Sequence, residues 1–307
     1  MPTLREKSLL KSNLEFWLNN ELLKDGFYTT INNGDVNSYG ENLSILQADE
    51  DESYPSLTVW QSAFKEWVYE SGIAPTQNIA PPIIASGVYV NGTFYPRHSY
   101  MPGYNASFAH NIDYRNGRII FASPRSSSDI VSATFSYKTV SIEFMDAFEN
   151  ENNPLLIETG YKDNPYQSGI LNFPSRDSRV LPLIVIDIGD RTSTGYELGW
   201  KSLTYDFKGS FNIWSRDAHI KDMLEDLLAS KERDVILATN FNSAPFPLDY
   251  MGDKNLAYTS YASYASMWNN FFWHRIYLED ISVRREIPSY NVERSRVDFT
   301  AKIYTNH

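Results

Sequence analysis

The sequence predicts an α+β protein, in which a mixed or antiparallel sheet is flanked by helices and carries a hairpin-rich β insertion. Three observations in the last third of the chain lead to this prediction. Apolar residues recur at every second position of 203–213 except Gly209, which is the period of a half-buried strand. The period then changes to that of an amphipathic helix over 218–228. A closing strand at 295–304 again alternates apolar and polar residues.

The composition is that of a globular protein. At 307 residues, with 42% hydrophobic and 21% charged residues, the chain has enough length for two domains or one elaborated domain. The absence of cysteine excludes disulfides, thiol catalysis and thiolate metal sites. The longest apolar run, 181–188, is too short to span a bilayer, and residues 1–11 lack the apolar stretch of a secretory signal. We therefore expect no membrane association and synthesis in a reducing cytoplasm.

The net charge of −11 argues against tight binding to nucleic acid, because such binding replaces counterions with Lys and Arg. Acidic surfaces would instead let DNA pass without adhering. One local basic patch departs from this overall acidic charge. Its acidic neighbours in the sequence favour a solvated hairpin face over a nucleic-acid contact. The patch consists of Arg284, Arg285, Arg294 and Arg296.

Residues 1–80 are predicted as a helix-led segment that packs on the C-terminal domain. A helix over 4–23 is indicated by apolar residues spaced three or four apart. Thr3 and Glu6 have the spacing of a capping box, and Gly26 follows the last apolar position, where helices commonly end.

The rest of this segment is predicted as short and irregular elements. A strand over 27–31 ends at an Asn-Asn-Gly turn. The acidic run 49–52 is expected to be a solvated loop, since it lacks the ligand spacing of a calcium loop. The pattern of 57–70 fits both a helix and a strand, and the proline-containing stretch 73–82 is predicted to be a linker.

Residues 81–148 are predicted to form the hairpin-rich β unit. The segments 87–95 and 111–121 each contain an Asn-Gly pair, which accepts the positive φ angles of a two-residue hairpin turn. One or two further strands are expected over 130–144. The turns are expected at Asn91-Gly92 and Asn116-Gly117.

Residues 149–307 are predicted to form an α+β domain. Its helix should begin after Asp217 or Ser215. The Tyr-rich stretch 240–270 is too long for an ordinary connection, so we expect it to be functional or to order against a partner. The candidate interface residues are Tyr258, Tyr261, Tyr264, Trp268, Arg294 and Arg296.

The sequence contains no arrangement that indicates a catalytic, cofactor-binding or metal site, so we expect no enzyme activity and no cofactor. No two histidines have helical ligand spacing, and His110 near Asp113 is expected to be an ordinary surface or core histidine. Asp187 and Asp190 follow an apolar strand, where α/β enzymes often place carboxylates. The residues around this pair favour a capped turn, and a hydrolase remains the alternative.

The order of elements in the C-terminal half resembles that of tail-terminator and neck proteins of tailed bacteriophages. The resemblance rests on the strand 211–217 that leads into helix 218–228, and on the closing alternating strand 294–304 with its basic residues. The hairpin at 111–121 is similar to the elaborations on virion structural proteins. In that family an α+β domain of this kind forms a ring of six copies at the top of the tail tube.

The resemblance implies a structural virion protein, assembled in the host bacterial cytoplasm, that joins the tail to the head. Its partners would be further copies of itself, the tail tube and sheath proteins, and the head connector or portal-adaptor proteins. DNA would pass through transiently. Two alternatives are another collar or baseplate component, and a carbohydrate- or receptor-binding virion module. The candidate residues for sugar stacking are Trp60, Trp67, Tyr100 and Tyr104.

Overall fold

The computed structural model describes residues 6–49, 51, 53–97, 108–145, 181–194, 203–239, 241, 246–255, 257–267, 275–286 and 292–305. Within these ranges the chain is α+β, with mostly antiparallel sheets and few helices, so the predicted class is confirmed. In chain order the elements are α1 (Glu6–Lys24), β1 (Tyr28–Ile31), β2 (Ile45–Asp49), β3 (Val59–Gln61), β4 (Gly87–Val90), β5 (Thr93–Pro96), β6 (His110–Asp113), β7 (Arg118–Phe121), β8 (Val131–Ser132), β9 (Phe135–Lys138), β10 (Ser141–Phe144), β11 (Leu183–Thr194), β12 (Leu203–Ser215), α2 (Ala218–Ala229), β13 (Val235–Leu237), α3 (Tyr261–Met267), β14 (Arg275–Arg285) and β15 (Glu293–Thr305).

One sheet has seven short strands in the order β5-β4-β8-β2-β3-β7-β6, and all its neighbours are antiparallel. The sheet curls so that its two edges approach each other. The rings of Tyr95 in β5 and Phe108 just before β6 stack with centroids 4.0 Å apart. Its interior is a separate apolar core that includes Trp67, Phe135 and Ile112.

The second sheet has six strands in the order β10-β11-β12-β15-β14-β13, with four long strands at its centre. Only β10 and β11 are parallel. All three described helices contribute to the core on one face of this sheet, which we call the helix face. Val297, Phe299, Ala301 and Ile303 of β15 are buried on this face, as their alternation predicts.

Helix α1 confirms the prediction for 4–23. Its C-terminal end is a Schellman motif, in which Phe27 N donates to Leu22 O and Gly26 N donates to Leu23 O, at 3.0 and 3.2 Å. Gly26 has φ +87°, a conformation that glycine adopts without strain. Thr3 of the predicted capping box lies outside the described residues. The predicted apolar stripe is buried at Leu10, Leu14, Trp17, Leu18 and Leu22.

Helix α2 begins as predicted, with Asp217 as its N-cap. The Asp217 carboxylate accepts a 2.8 Å hydrogen bond from His219 N, and Ser215 Oγ accepts from Asp217 N. Met223 has the spacing of a residue on the apolar face of this helix, but it is 38% exposed. The apolar stripe is therefore narrower than the sequence pattern suggests. It consists of Leu224, Leu227 and Leu228.

The hairpin β4–β5 has its predicted turn, with positive φ at both Asn91 and Gly92. The hairpin β6–β7 is also present, but its predicted two-residue turn is wrong. Asp113 pairs with Arg118, so four residues form the loop. The Asp113 carboxylate accepts hydrogen bonds from the Asn116 backbone and side chain, which stabilises the longer loop.

The stretch 130–144 contains three strands rather than one or two. They belong to three different sheets: β8 to the seven-stranded sheet, β9 to a two-stranded sheet with β1, and β10 to the six-stranded sheet. Strands β2 and β3, from the 1–80 segment, also pair within the sheet of the 81–148 unit. Strand pairing thus crosses the divisions near residues 80 and 148, while independent folding of the three segments stays a prediction.

Strand β11 continues through 187–190, so the capped turn predicted there is wrong. The register with β12 shifts by one residue between Ile188 and Arg191, which is a β-bulge. Opposite Ile188 is Gly209, the only gap in the apolar row of β12. A Cβ at Gly209 would lie 2.5 Å from the Phe299 ring, so glycine makes room for that ring.

A second bulge lies in β14 at the same level of the sheet. The register with β15 shifts between Glu279 and Ser282, and Asp280 adopts φ +55°. Leu278 is buried on the helix face, and beyond the bulge Val283 pairs with Val297 on that face. The extra residue therefore changes the alternation from even to odd positions.

Candidate functional site

Three of the predicted interface tyrosines lie in the core and not at the surface. Tyr258, Tyr261 and Tyr264 are 3%, 8% and 0% exposed. Each packs edge-on against Phe16 of α1, with ring centroids 5.8, 5.1 and 6.1 Å apart. Residues 257–267, the described part of the stretch that contains these tyrosines, therefore pack against α1, and burial of the rings stabilises the contact. Trp268 lies outside the described residues.

The predicted arginines occupy the face of the six-stranded sheet opposite the helices, which we call the outer face. The Arg294 guanidinium lies over the Trp214 ring, 4.1 Å from its centroid. Arg296 Nε donates to Asp298 Oδ1 at 2.6 Å, and Arg284 Nε lies 2.8 Å from Asp298 Oδ2. Arg284 and Arg296 thus share the carboxylate of Asp298. That this face is solvated and does not contact nucleic acid stays a prediction.

The middle of the outer face is polar and ordered by ion pairs. Lys302 of β15 pairs with Glu279 of β14 at 2.7 Å, one level away from the arginine pairs. Toward the β10 edge the face becomes apolar, where Leu183, Val185 and Trp214 pack together. All three described helices lie on the other side of the sheet. In the described part of the chain, the charged area is therefore not covered by a helix.

The remaining sequence candidates are dispersed or buried. Asp187 is half-buried on the outer face opposite Ser210, and the Asp190 side chain lies outside the described residues. His110 is buried, with Nδ1 2.8 Å from the Phe108 carbonyl, as expected for a core histidine.

The two candidate tryptophans for sugar stacking are buried in the core of the seven-stranded sheet. Trp60 is 5% exposed and Trp67 1%. Neither presents a ring face to solvent, so their predicted role in binding carbohydrate is wrong. Tyr100 and Tyr104 lie outside the described residues.

The acidic run 49–52 is not simply a solvated loop. Asp51 is buried, and its carboxylate accepts a 2.9 Å hydrogen bond from Arg118 Nη1. Arg118 Nε donates to Asp113 at the same distance. The guanidinium thus joins two buried carboxylates from distant parts of the chain. This network explains why the carboxylates tolerate burial.

A charged cluster, not predicted from sequence, lies where α1 meets the curled sheet; we call it the junction cluster. Arg115, in the β6–β7 loop, reaches Glu15 of α1 with a 3.6 Å ion pair. Glu66 donates its backbone N–H to Arg115 O at 3.0 Å and accepts one from Lys138 N through its own carbonyl at 2.9 Å. Lys138 Nζ is paired with the buried Glu70 at 2.6 Å.

The junction cluster holds a carboxyl group that titrates near neutral pH. Burial raises the pKa of Glu66 to about 7, and the cations Lys138 and Arg115 offset only part of that effect. Burial also raises the pKa of Glu15, against the opposing influence of Arg115. The cluster can therefore bind or release a proton at the contact between the two sheets. In the sequence, the only indication of this site is that Glu66 lies between two aromatic residues that are buried, Phe64 and Trp67.

We predict that Glu66→Gln stabilises the protein at alkaline pH. Because the folded-state pKa is raised, the stability from the neutral carboxyl is present below its ordinary value of 4.5 and is lost as pH rises through about 7. Glutamine stays neutral, so above that pH the free energy of unfolding of the variant should exceed that of the wild type by about 1–2 kcal/mol. This is less than the full pKa shift implies, because Glu66 is only half-buried.

Thermal unfolding across this pH range measures the effect. Glu232→Gln, at an exposed position after α2, is the matched control and should follow the wild-type curve. Parallel Tm curves for Glu66→Gln and wild type would show that the Glu66 carboxyl does not titrate in this range.

Comparison of the chain with protein-family models, curated proteins and solved structures finds no match. In the described part of the chain, no group of three or more His, Asp or Glu side chains is placed to hold a metal ion. None of the described helices is both long and apolar enough to cross a membrane.

Proposed function

We propose that this chain is a structural protein of a tailed-phage virion, which forms an oligomeric ring at the neck or top of the tail. The ring would join the tail tube and sheath to the head connector or portal-adaptor proteins, and six copies would form it. In this proposal the protein works by shape and association, without catalysis or a cofactor.

The observation that carries the proposal is the charged outer face of the six-stranded sheet. Strands β12 and β15 pair over thirteen residues, more than twice the usual strand length of about 5–6 residues. On the same face, ion pairs between β14 and β15 and within β15 hold charged side chains next to one another. A long, rigid and polar face of this kind is suited to contact with another subunit, because electrostatic complementarity sets register and specificity.

Two further properties support the proposal. The buried tyrosines and tryptophans stabilise the two cores, which suits a protein that works by its shape. The net charge of −11 is compatible with a channel through which DNA passes without adhering. Another collar or baseplate component would share these properties and is the alternative within the same class.

Negative-stain electron microscopy and mass photometry of the purified chain test the proposal. We expect closed rings whose mass is a multiple of 35.3 kDa, with six copies as the expected number. A phage tail tube protein added to the sample should bind one rim of the ring. Monomers that persist at high concentration, both alone and with tube protein, would contradict it.

A further inference from the structure

Strand β14 uses one of its two sides only in part. On one side β15 accompanies it along nearly its whole length, but on the other side β13 pairs only with 275–277. Asp234 extends that contact by one residue, because its carbonyl accepts a 3.1 Å hydrogen bond from Leu278 N. Within the described ranges, no strand pairs with this side of 279–285, which we call the free edge. An unpaired strand edge can accept a further strand.

The backbone of the free edge has hydrogen-bonding groups that point away from β15. Glu286 N donates to Arg294 O, so the Glu286 backbone is directed toward β15. Because this direction alternates along a strand, the N–H and C=O groups of Val283 and Arg285 are directed to the free edge. The bulge precedes these residues and leaves the end of β14 regular. Each of the two residues therefore offers a donor and an acceptor to another strand.

The free edge also has an exposed apolar side chain. Val283 is 41% exposed, and Ile281 beside it is half-buried against the core of the helix face. Ser282, between them in sequence, is exposed on the outer face. Main-chain pairing along this edge would cover both apolar side chains, so it would combine backbone hydrogen bonds with apolar burial.

The charges of β14 change sign on either side of Ser282. Glu279 and Asp280 come before it, and Arg284 and Arg285 come after it. When a second β14 runs antiparallel around an axis through Ser282, the acidic half of each strand lies beside the basic half of the other. An axis through Arg284 or Arg285 would instead place two identical arginines opposite each other, which is destabilising.

We infer that two copies of the chain associate through the free edge, with their β14 strands antiparallel and a two-fold axis at Ser282. In this register Ile281 of each copy lies opposite Val283 of the other on the helix face. The two Ser282 side chains lie opposite each other on the outer face. The six-stranded sheets of the two copies become one continuous sheet. The occupant of the free edge is thus the same strand of a second copy.

Ion pairs within each copy are compatible with this register. The bulge places Glu279 of one copy level with Arg284 of the other, and both side chains lie on the outer face. Glu279 is already held by Lys302 at 2.7 Å, and Arg284 by Asp298 at 2.8 Å. The four side chains then form a row of alternating charge across the contact, which favours this register over those with like charges opposed.

The helices leave room for the pairing. Helix α2 packs on β12, β15 and β14, so it lies near β15, the middle strand of the three. In the joined sheet the two β15 strands are three strand spacings apart, about 14 Å. Packed helices need an interaxial distance of only about 8–10 Å. The two α2 helices can therefore lie on the same face without collision.

This inference goes beyond the proposed function and does not depend on it. A contact around a two-fold axis is isologous and joins two copies, whereas a ring of six needs a heterologous contact at another surface. Pairing through the free edge would join two rings back to back. In a chain that forms no ring, it would give a dimer.

An introduced cysteine tests the register directly, because the chain has no cysteine of its own. The two Ser282 residues would form a non-hydrogen-bonded pair with Cβ atoms about 4.5–5 Å apart, close to the separation in a disulfide. On mild oxidation Ser282→Cys should therefore give a disulfide-linked dimer of twice 35.3 kDa. Its rate should exceed that of Ser127→Cys, an exposed loop position that reports random collision, by about tenfold or more. Non-reducing electrophoresis measures both rates.

Two further variants distinguish this register from other contacts. The cysteines of Arg284→Cys, on the same face of β14, would be about 14 Å apart, so they should crosslink no faster than those of Ser127→Cys. Adding Val283→Lys to Ser282→Cys places an ammonium group at the paired edge and should slow the crosslink by about tenfold. Each variant should keep the wild-type circular dichroism spectrum, because all these positions are exposed.

Equal crosslinking of Ser282→Cys and Ser127→Cys, or faster crosslinking of Arg284→Cys, would overturn the two-fold contact. A Ser282→Cys rate that Val283→Lys leaves unchanged would overturn it as well. Rings that form without a fast Ser282→Cys crosslink would leave the proposed function standing. A fast crosslink in a chain that forms no ring would leave this contact standing and contradict the ring.

Discussion

Replacing Trp67 by alanine is expected to lower the free energy of unfolding by about 3–5 kcal/mol, the cost of removing a large aromatic side chain from a packed core. The indole is 1% exposed and stacks on Phe135 with ring centroids 4.1 Å apart. Its Nε1 donates a 3.0 Å hydrogen bond to the Phe64 carbonyl, which alanine removes. Urea unfolding followed by circular dichroism measures the change in midpoint.

Two variants serve as controls for this prediction. Trp67→Phe keeps a ring against Phe135 but removes the Nε1 donor, so its loss should be smaller than that of alanine. Tyr39→Ala changes an exposed ring and should alter stability by less than about 0.5 kcal/mol. A Trp67→Ala midpoint equal to that of Tyr39→Ala would contradict the packing within the seven-stranded sheet.

Replacing Arg118 by alanine is expected to lower the free energy of unfolding by about 3–5 kcal/mol at neutral pH, because two buried carboxylates lose their cation. Arg118 donates 2.9 Å hydrogen bonds to both Asp51 and Asp113. The loss should shrink at acidic pH, where the carboxylates can take up protons instead of remaining charged without a partner. Urea midpoints of the variant and wild type at neutral and acidic pH measure both effects.

The matched control is Arg284→Ala, which removes an arginine of an ion pair that is 71% exposed at the arginine side chain. Surface pairs of this kind contribute about 0–1 kcal/mol, so the loss should be small. Changing Arg118 to Met together with Asp51→Asn and Asp113→Asn removes all three charges and should restore much of the stability. A pH-independent loss in Arg118→Ala would argue that packing, and not charge, dominates at this site.

Elements defined by neighbouring residues could be predicted from the sequence. The apolar stripe and Gly26 define α1, Asp217 defines the start of α2, and Asn91-Gly92 defines the β4–β5 turn. In each case the physical cause lies within a few positions of the element. The alternation of β15 was equally clear, because one of its faces meets the helices along most of its length.

Features that depend on distant residues could not be predicted. The stretch with Tyr258 and Tyr264 lacks a clear period, and its burial is explained by Phe16 of α1. Asp51 meets Arg118 across 67 positions. Asn13 binds the backbone of Thr239 across 226. No local pattern contains both members of such pairs. Sequence periodicity therefore could not predict the contacts of the acidic loop, the burial of the interface tyrosines or the presence of the junction cluster.

The bulge at Asp280 has a consequence for how β14 tolerates change in length. Before it, even-numbered side chains such as Leu278 point toward the helices; after it, odd-numbered ones do. Deleting Asp280 would therefore move the side chains of Arg284 and Arg285 to opposite sides of the sheet from those they now occupy. The part of β14 before the bulge would not change. The one extra residue thus determines which side chains after the bulge face the helices. The sides on which Arg284 and Arg285 lie depend on the number of residues in β14 as well as on which residues they are.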